Sequence, residues 1–384
     1  MVDKKRLLIF YDWFFPGFKA GGPIQSLTNL AVALIPEFDI YVITSCRDLS
    51  SSIPYPNVKV DSWNDVQLRE NPNLIKVFYS DKKNLDKQKI AILINEITPS
   101  VVYLNGMFSY TFFLVPLIVL RKFDRAIKIV ICPRGMLKKG ALLGKAFKKK
   151  VYIKYLKFSG LLNTSYWHAT SREELCDINN QFPSNKGIII AGNIPRKPLS
   201  SFHPIAKQVG ELKLVYLALI NEHKNLLLLL QIIQEIKSGI SLDIYGPVVD
   251  ENYWRKCHRL IEEMPGKVQY KGPVEPRLIH DVLERNHAFI LLTKGENFGH
   301  AIFESFGVGR PVITTHYTPW QALHENDAGW NVSLESRDDC INKIDKFMQM
   351  PQLEYNKFCL GAQTLANNYY NKLHTNTAYN KLFS

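Results

Sequence analysis

An α/β fold built from two doubly wound, Rossmann-like domains is what this sequence predicts, and three observations predict it. Short apolar runs alternate with helical patterns along the whole chain, the alternation comes in two series, and a proline-interrupted segment separates them. The length, 384 residues, is too great for one ordinary core and suits two.

The first series of runs is 7–11, 40–44, 101–104, 127–132 and 187–191, and the second is 212–219, 242–245, 268–270, 288–292 and 312–314. Most are continuously apolar, the pattern of a parallel strand buried on both faces. After 7–11 comes a glycine loop, residues 16–23. Ile24, Leu27, Leu30, Ala31 and Leu34 then share one helical face, with Pro23 in the first turn. Ser171 and Glu174 form a capping pattern ahead of a helix, and His168 just before it reads as structural. Between the series, Pro195, Pro198 and Pro204 mark a linker, which places the boundary near residue 197. The domains are then 1–197 and 198–366, with 367–384 as a C-terminal helix.

Composition narrows the function classes. Six cysteines lie far apart with no Cys-x-x-Cys pair, which fits a reducing cytoplasm and argues against a zinc knuckle. The run 7–11 is stopped by Asp12 and is too short for a secretory signal. The apolar run 112–120 holds Pro116 and falls well short of a membrane span. The net charge of +13 is uneven: from Arg125 to Arg172 there are twelve Lys or Arg and no Asp or Glu. Within 138–158, Phe147, Val151, Tyr155 and Phe158 recur at helical spacing among Lys145, Lys148, Lys149, Lys150, Lys154 and Lys157. Such a helix reads either as docking to an anionic membrane surface or as a solvated face on a packed helix. No aromatic-basic module supports nucleic acid as a partner.

The richest stretch runs from Lys294 to Ile313. Between the run 288–292 and the helical pattern of Ala301, Ile302, Phe303, Phe306 and Val308 lies Gly-Glu-Asn-Phe-Gly, so Glu296 and Glu304 stand eight residues apart around a glycine turn. Gly299 lets backbone N–H groups at the helix start approach a ligand, where unpaired donors and the positive dipole end favour a diphosphate. Glu304, just over one turn further on, is placed to accept from ribose hydroxyls. On spacing alone, a solvated helix face fits as well.

The order strand, Gly-Glu-Asn-Phe-Gly turn, helix, Gly307-Val-Gly309 and then Pro311-Val-Ile313 resembles the donor-site signature of the retaining family 4 glycosyltransferases. The resemblance spans nearly the whole chain and is strongest from 212 to 332. It implies a GT-B fold, with the two domains facing across a cleft, the strand C-termini toward it, and the last helix returning to the first domain. It implies that Glu296 positions the donor sugar and Glu304 the ribose. Asn297, Phe298, Gly299, His300 and Ala301 then form the turn and helix start around the diphosphate. Lys224, in Ile220-Asn-Glu-His-Lys-Asn225, matches the family's diphosphate-binding lysine. Gly21 and Gly22 match its N-terminal glycine loop, and Gly246 and Val274 fall in segments that cradle the base. Glu296, Arg134 and Lys224 are thus the catalytic candidates. Asn105 and Trp320 are acceptor-side candidates, although Trp320 suits core packing equally.

Three departures stand out. The family often has histidine where this chain has Asn105 and Arg134, and usually arginine where it has Leu219. Pro133-Arg-Gly-Met-Leu137 itself resembles a subgroup of bacterial surface-polysaccharide enzymes. The resemblance implies retaining, metal-independent transfer of an α-linked sugar from a nucleotide diphosphate, a UDP-sugar first and GDP-mannose second. The acceptor would be a glycan, carried on a lipid such as polyprenyl diphosphate, in polysaccharide or O-antigen assembly. No cofactor is implied, and the enzyme would be cytoplasmic or peripheral on the inner face of the membrane. A nucleotide-sugar epimerase of the same architecture, or a non-catalytic sugar or nucleic-acid binding protein, are the competing readings.

Overall fold

The apolar runs become the inner strands of two sheets. The computed structural model describes residues 4–69, 71–123, 126–138, 140, 142, 146–201, 203, 205–374 and 377–384. Arg125, Lys139 and Lys145 of the basic stretch and Pro204 of the linker lie outside the described residues. The chain divides into two units, Met1–Ile194 with Asn376–Ser384, and Pro195–Thr375. The division falls a few residues ahead of the boundary read from the prolines.

The first unit holds an eight-stranded sheet: β1 (Lys5–Phe10), β2 (Phe38–Ser45), β3 (Ser62–Gln67), β4 (Leu74–Ser80), β5 (Val101–Asn105), β6 (Lys128–Cys132), β7 (Tyr166–Ala169) and β8 (Ile188–Ile190). Its order is β3-β4-β2-β1-β5-β6-β7-β8, with β3 antiparallel to β4 and the other pairs parallel. Leu7 to Phe10 are wholly buried because apolar clusters cover both faces. The sequence reading did not anticipate β3, β4 or β7. β3 carries Ser, Asn, Asp and Gln on an edge, and β7 is four residues long and includes His168, so neither presents an apolar run.

The second unit holds six parallel strands: β9 (Leu212–Leu217), β10 (Ile240–Tyr245), β11 (Val268–Tyr270), β12 (Ala288–Leu291), β13 (Val312–Thr315) and β14 (Gly329–Val332), in the order β11-β10-β9-β12-β13-β14. In both sheets the chain winds outward in one direction and then in the other. The reversal falls between β1 and β5 in the first and between β9 and β12 in the second, and such switch points leave a crevice beyond the strand C-termini. Near the C-terminus one helix runs unbroken from Gln352 to His374, since no proline interrupts it. The segment that returns to the first unit is the short helix Ala378–Phe383, whose Leu382 and Phe383 are buried there.

The second unit closes several helix C-termini with cations. Arg310, 1 % exposed, donates from Nε to Asn286 O (3.0 Å), from Nη1 to Val308 O and Gly309 O (3.2 and 3.3 Å) and from Nη2 to Glu284 O and His203 O (both 2.8 Å). These carbonyls include the ends of the helices Ile279–Glu284 and His300–Gly307, where the dipole is negative. Lys207 Nζ donates to Met348 O and Met350 O at the end of Arg337–Gln349. Lys267 Nζ does the same for Ile233 O and Ile236 O at the end of Leu226–Glu235.

Candidate functional site

In the second unit the loops after β9 and β12 meet at the switch point. After β9, Asn221 caps a short turn, its side chain accepting from Lys224 N at 3.1 Å, and Asn225 adopts a left-handed conformation (φ 58°) before the helix Leu226–Glu235 begins. That turn aims Lys224 at the loop after β12, where its Nζ forms an ion pair with Glu296 Oε1. Both side chains are largely shielded, 18 % and 11 % exposed, so their charges are screened less than a surface pair would be. Two bonds fix these loops together, Lys294 N donating to His223 O (2.9 Å) and the His223 side chain, through Nε2–H, to Gly295 O (2.7 Å), while Glu296 N donates to Tyr317 O (3.0 Å) in the loop after β13. Lys294 instead pairs with Glu222 at 3.0 Å on the open surface and holds that carboxyl below the usual range.

The helix His300–Gly307 starts immediately after this pair. Its N-cap, Gly299, sits at φ 80°, ψ 65°, and no side chain caps the helix start. The left-handed conformation favours glycine there, and a Cβ, 2.9 Å from Ile302 Cδ1, would also make that side-chain end shift. The backbone N–H groups of the first turn, from His300 onward, are the kind of donors that bind anions. Asn297 and Phe298 form the turn, and Ala301 and Glu304 lie on the helix, Glu304 at 5 % exposure. Phe298 packs on His300 with ring centroids 4.7 Å apart.

Trp320 lies in the core of this unit. It is 6 % exposed, its indole N–H donates to Phe298 O at 2.5 Å, and its ring meets Phe298, Phe303, Phe306 and Tyr369. It braces the Asn297–Phe298 turn from behind. Leu219, where an arginine would be usual, supplies no second cation.

Gly246, at the end of β10, has φ 145°, and a Cβ there would meet Ala218 O at 1.8 Å, directly beside the end of β9. Its N–H donates to Gly272 O (3.0 Å) and its carbonyl accepts from Tyr270 Oη (2.8 Å), which draws the segment carrying Val274 alongside. Lys224, Glu296, Gly299 and Gly246 thus all occupy loops at the C-terminal edge of one sheet.

The first unit has its own cluster at the ends of β5 and β6. Arg134 adopts a left-handed backbone (φ 56°), uncommon for a side chain of its size, followed by Gly135 at φ 76°. Three acceptors hold its guanidinium: Asn105 Oδ1 (3.2 Å), Asn193 Oδ1 (2.6 Å) and Tyr103 Oη (3.1 Å). Gly21, at φ 72°, precedes the helix Gly22–Leu34, from which Ser26 Oγ donates to Asn193 Oδ1 at 3.2 Å. Asp48 Oδ2 accepts the N–H groups of Phe18 and Lys19 (2.9 and 3.1 Å) and so fixes the glycine loop. Asn105 and Arg134 therefore share one network, which reaches through Asn193 to Ser26 on the helix that begins at Gly22.

Sequence reasoning missed three supports of Arg134: Tyr103, Asn193 and Glu174. Glu174 is wholly buried, its Oε2 accepting from Thr170 N (2.7 Å) and Thr170 Oγ1 (2.6 Å) and its Oε1 from Gly135 N (2.5 Å). The Ser171–Glu174 pattern gave a signal for the cap, since Ser171 Oγ does accept from Glu174 N. Nothing in the sequence told that the carboxylate also clamps the loop of Arg134.

His168 sits behind this network. Its Nε2–H donates to Ala191 O (2.8 Å), so Nδ1 is the acceptor for Tyr103 O–H (2.6 Å). Burial first, then the nearby Arg134 charge, lower its pKa to about 3. A buried neutral histidine stabilises the fold above its unfolded pKa near 6.5, and that stability is lost as pH falls from there toward 3. Between pH 7 and pH 5 this group is expected to cost the first unit about 2 kcal/mol, as urea midpoints would record. In His168→Gln that pH-dependent increment should vanish, and equal pH slopes for the two proteins would refute the assignment.

Comparison with known proteins bears on the fold and on the second unit. Residues 200–358 match the family model of the glycosyl transferases group 1. No curated protein matches the chain in sequence. Among solved structures, sucrose-phosphate synthase from Thermosynechococcus elongatus superimposes with a TM-score of 0.71 at 16 % identity, covering 99 % of each chain. HepE of Anabaena, in complex with UDP and glucose, gives 0.68 at 13 % identity, covering 98 % of this chain and 99 % of its own. A variant of S. aureus TarM, in complex with fondaparinux, α-GlcNAc-glycerol and UDP, gives 0.68 at 11 % identity and covers 100 % of both. The fold is GT-B, and the matched residues 200–358 lie in the second unit.

Proposed function

We propose that this chain is a retaining glycosyltransferase that moves an α-linked sugar from a nucleotide diphosphate to a glycan acceptor. The observation that carries this reading is the Lys224–Glu296 ion pair at the switch point of the second sheet, beside the helix start at Gly299. A diphosphate bound there takes Lys224 and the helix N–H groups as its counter-charges and releases Glu296 to the hydroxyls of the donor sugar. Negative charge grows on the departing diphosphate as the glycosidic bond breaks, and fixed donors aimed at it lower the barrier without reorganising. This supplies the charge that a metal ion would otherwise provide. Glu304 takes the ribose, and the Gly246 and Val274 segments take the base.

The UDP in the HepE and TarM structures supports a UDP-sugar ahead of GDP-mannose, and the saccharide ligands of TarM support a glycan acceptor. In the first unit Arg134 is the catalytic cation, and Asn105, wholly buried, holds its guanidinium from beneath and not as an acceptor contact. The reading extends to a lipid-linked acceptor in bacterial polysaccharide assembly, with the enzyme at the inner face of the membrane. Among the described residues no helix is long and apolar enough to cross a membrane, and no group of three or more His, Cys, Asp or Glu is placed to hold a metal ion.

The test is incubation with UDP- and GDP-sugars and a polyprenyl-diphosphate-linked glycan, read by mass spectrometry. A sugar added to the acceptor with the α-linkage is the expected product. An isomerised donor without acceptor chemistry would make the protein an epimerase, and an unchanged mixture would make it a binding protein.

A further inference from the structure

The helix Ala146–Phe158 presents an apolar stripe to solvent on the side opposite the one it buries. Ile153 and Leu156 are its buried anchors, 6 % and 1 % exposed, and Lys149 Nζ lies 5.2 Å over the Phe108 ring on that same side. On the outer side Phe147 is 81 % exposed, Val151 52 %, Tyr155 48 % and Phe158 87 %. At about 100° per residue these four fall within an arc of about 80°, centred nearly opposite the buried anchors. Lys148 lies just beyond one edge of the arc, and Lys154, Lys150 and Lys157 lie in turn beyond the other. All four are exposed, with Lys157 Nζ donating to Gln181 Oε1 at 3.2 Å.

A stripe of this make-up is costly in water. Single exposed apolar residues need no explanation, but two phenylalanines more than four-fifths exposed, aligned with Val151 and Tyr155, form a contiguous patch. Its rim is of one sign, because the sequence from Arg125 to Arg172 contains no Asp or Glu. That rim selects among occupants. A second copy of the same helix would bring lysine against lysine, and an apolar protein groove would leave the lysines unmatched. An anionic bilayer matches both parts: its acyl boundary accepts the aromatic arc to a shallow depth, while the lysines reach outward to headgroup phosphates.

We propose that this helix lies in the plane of an anionic phospholipid bilayer, with Phe147, Val151, Tyr155 and Phe158 inserted and Lys148, Lys150 and Lys154 on the headgroups. The docking gives the membrane location in the function proposed above its physical anchor, and binding measured without donor or acceptor tests it separately from sugar transfer. Lysines near an anionic surface each contribute a few-fold to binding, and burial of the two inserted phenylalanines adds to this.

The experiment is flotation of the full chain with phosphatidylcholine vesicles, alone or mixed with phosphatidylglycerol, without donor or acceptor. The intact protein should float with the mixed vesicles, and added salt should release it. F147S/F158S should bind at least about tenfold more weakly. K148E/K150E/K154E should bind about a hundredfold more weakly, with little response left to phosphatidylglycerol. All these side chains are exposed, so unchanged thermal melting would show that both variants are folded. Equal flotation with both vesicle types, or variants that float like the parent, would overturn the proposal. So would a concentration-dependent dimer in sedimentation that F147S/F158S abolishes without any vesicle binding, since the occupant would then be a second copy.

Discussion

Glu296→Ala is expected to lower kcat by about a hundredfold while changing the donor KM little, whereas Lys224→Ala should raise the donor KM by a similar factor. The asymmetry follows from what each group does when a diphosphate enters. Glu296 is paired with Lys224 and gains the sugar hydroxyls only as the donor settles. Its removal therefore costs most where the sugar must be held for reaction. Lys224 meets the diphosphate in the ground state as well as in the transition state. Deleting it also leaves the Glu296 carboxylate, 11 % exposed, facing an incoming anion with no cation between them. Glu304→Ala, which removes the proposed ribose contacts, should raise the donor KM by about tenfold. Steady-state kinetics with the donor that the product assay identifies would check all three. Unchanged kcat/KM in every variant would remove the site from the loops after β9 and β12.

The largest stability effect is expected at Arg310. Arg310→Met keeps the length and apolar bulk of the side chain but leaves a ring of buried carbonyl oxygens without their donors. Each buried carbonyl left without a donor costs about 1–3 kcal/mol, so a total loss of about 3 kcal/mol or more is expected. Arg310→Lys, with three donors on one nitrogen, should recover part of the loss. Because the helix His300–Gly307 ends at these carbonyls and begins at Gly299, the methionine variant should also weaken donor binding. A urea midpoint equal to that of the parent chain would show that water replaces the guanidinium at no cost.

The donor loops were legible in the sequence because glycine, proline and apolar runs act locally. Gly299 must be left-handed, Gly246 must let a carbonyl pass, and a buried parallel strand must be apolar on both faces. That Lys224 and Glu296 follow strand C-termini came from the βα alternation, and their choice among other residues came from the family resemblance; the switch point itself needed the strand order. What stayed hidden depends on long-range pairing. Arg310 looks like one more cation in a basic chain, since nothing local distinguishes a guanidinium in solvent from one wrapped in carbonyls. Tyr103, Asn193 and Glu174 come from separate elements and acquire their meaning only around Arg134. β3 and β7 were lost because edge position and shortness erase the apolar signature. Trp320 was open between two readings, and its place among Phe298, Phe303, Phe306 and Tyr369 makes it a brace for the donor turn.

The ammonium of Lys207 has one further use. It is 5 % exposed, bound to carbonyls at the end of the helix Arg337–Gln349, and its pKa is lowered by burial. Amine-labelling reagents will reach it only when that helix end parts from the loop before β9. Its rate of acylation, read by peptide mapping, is therefore a native clock for the opening of the donor-side unit, set apart from the many lysines that react at once.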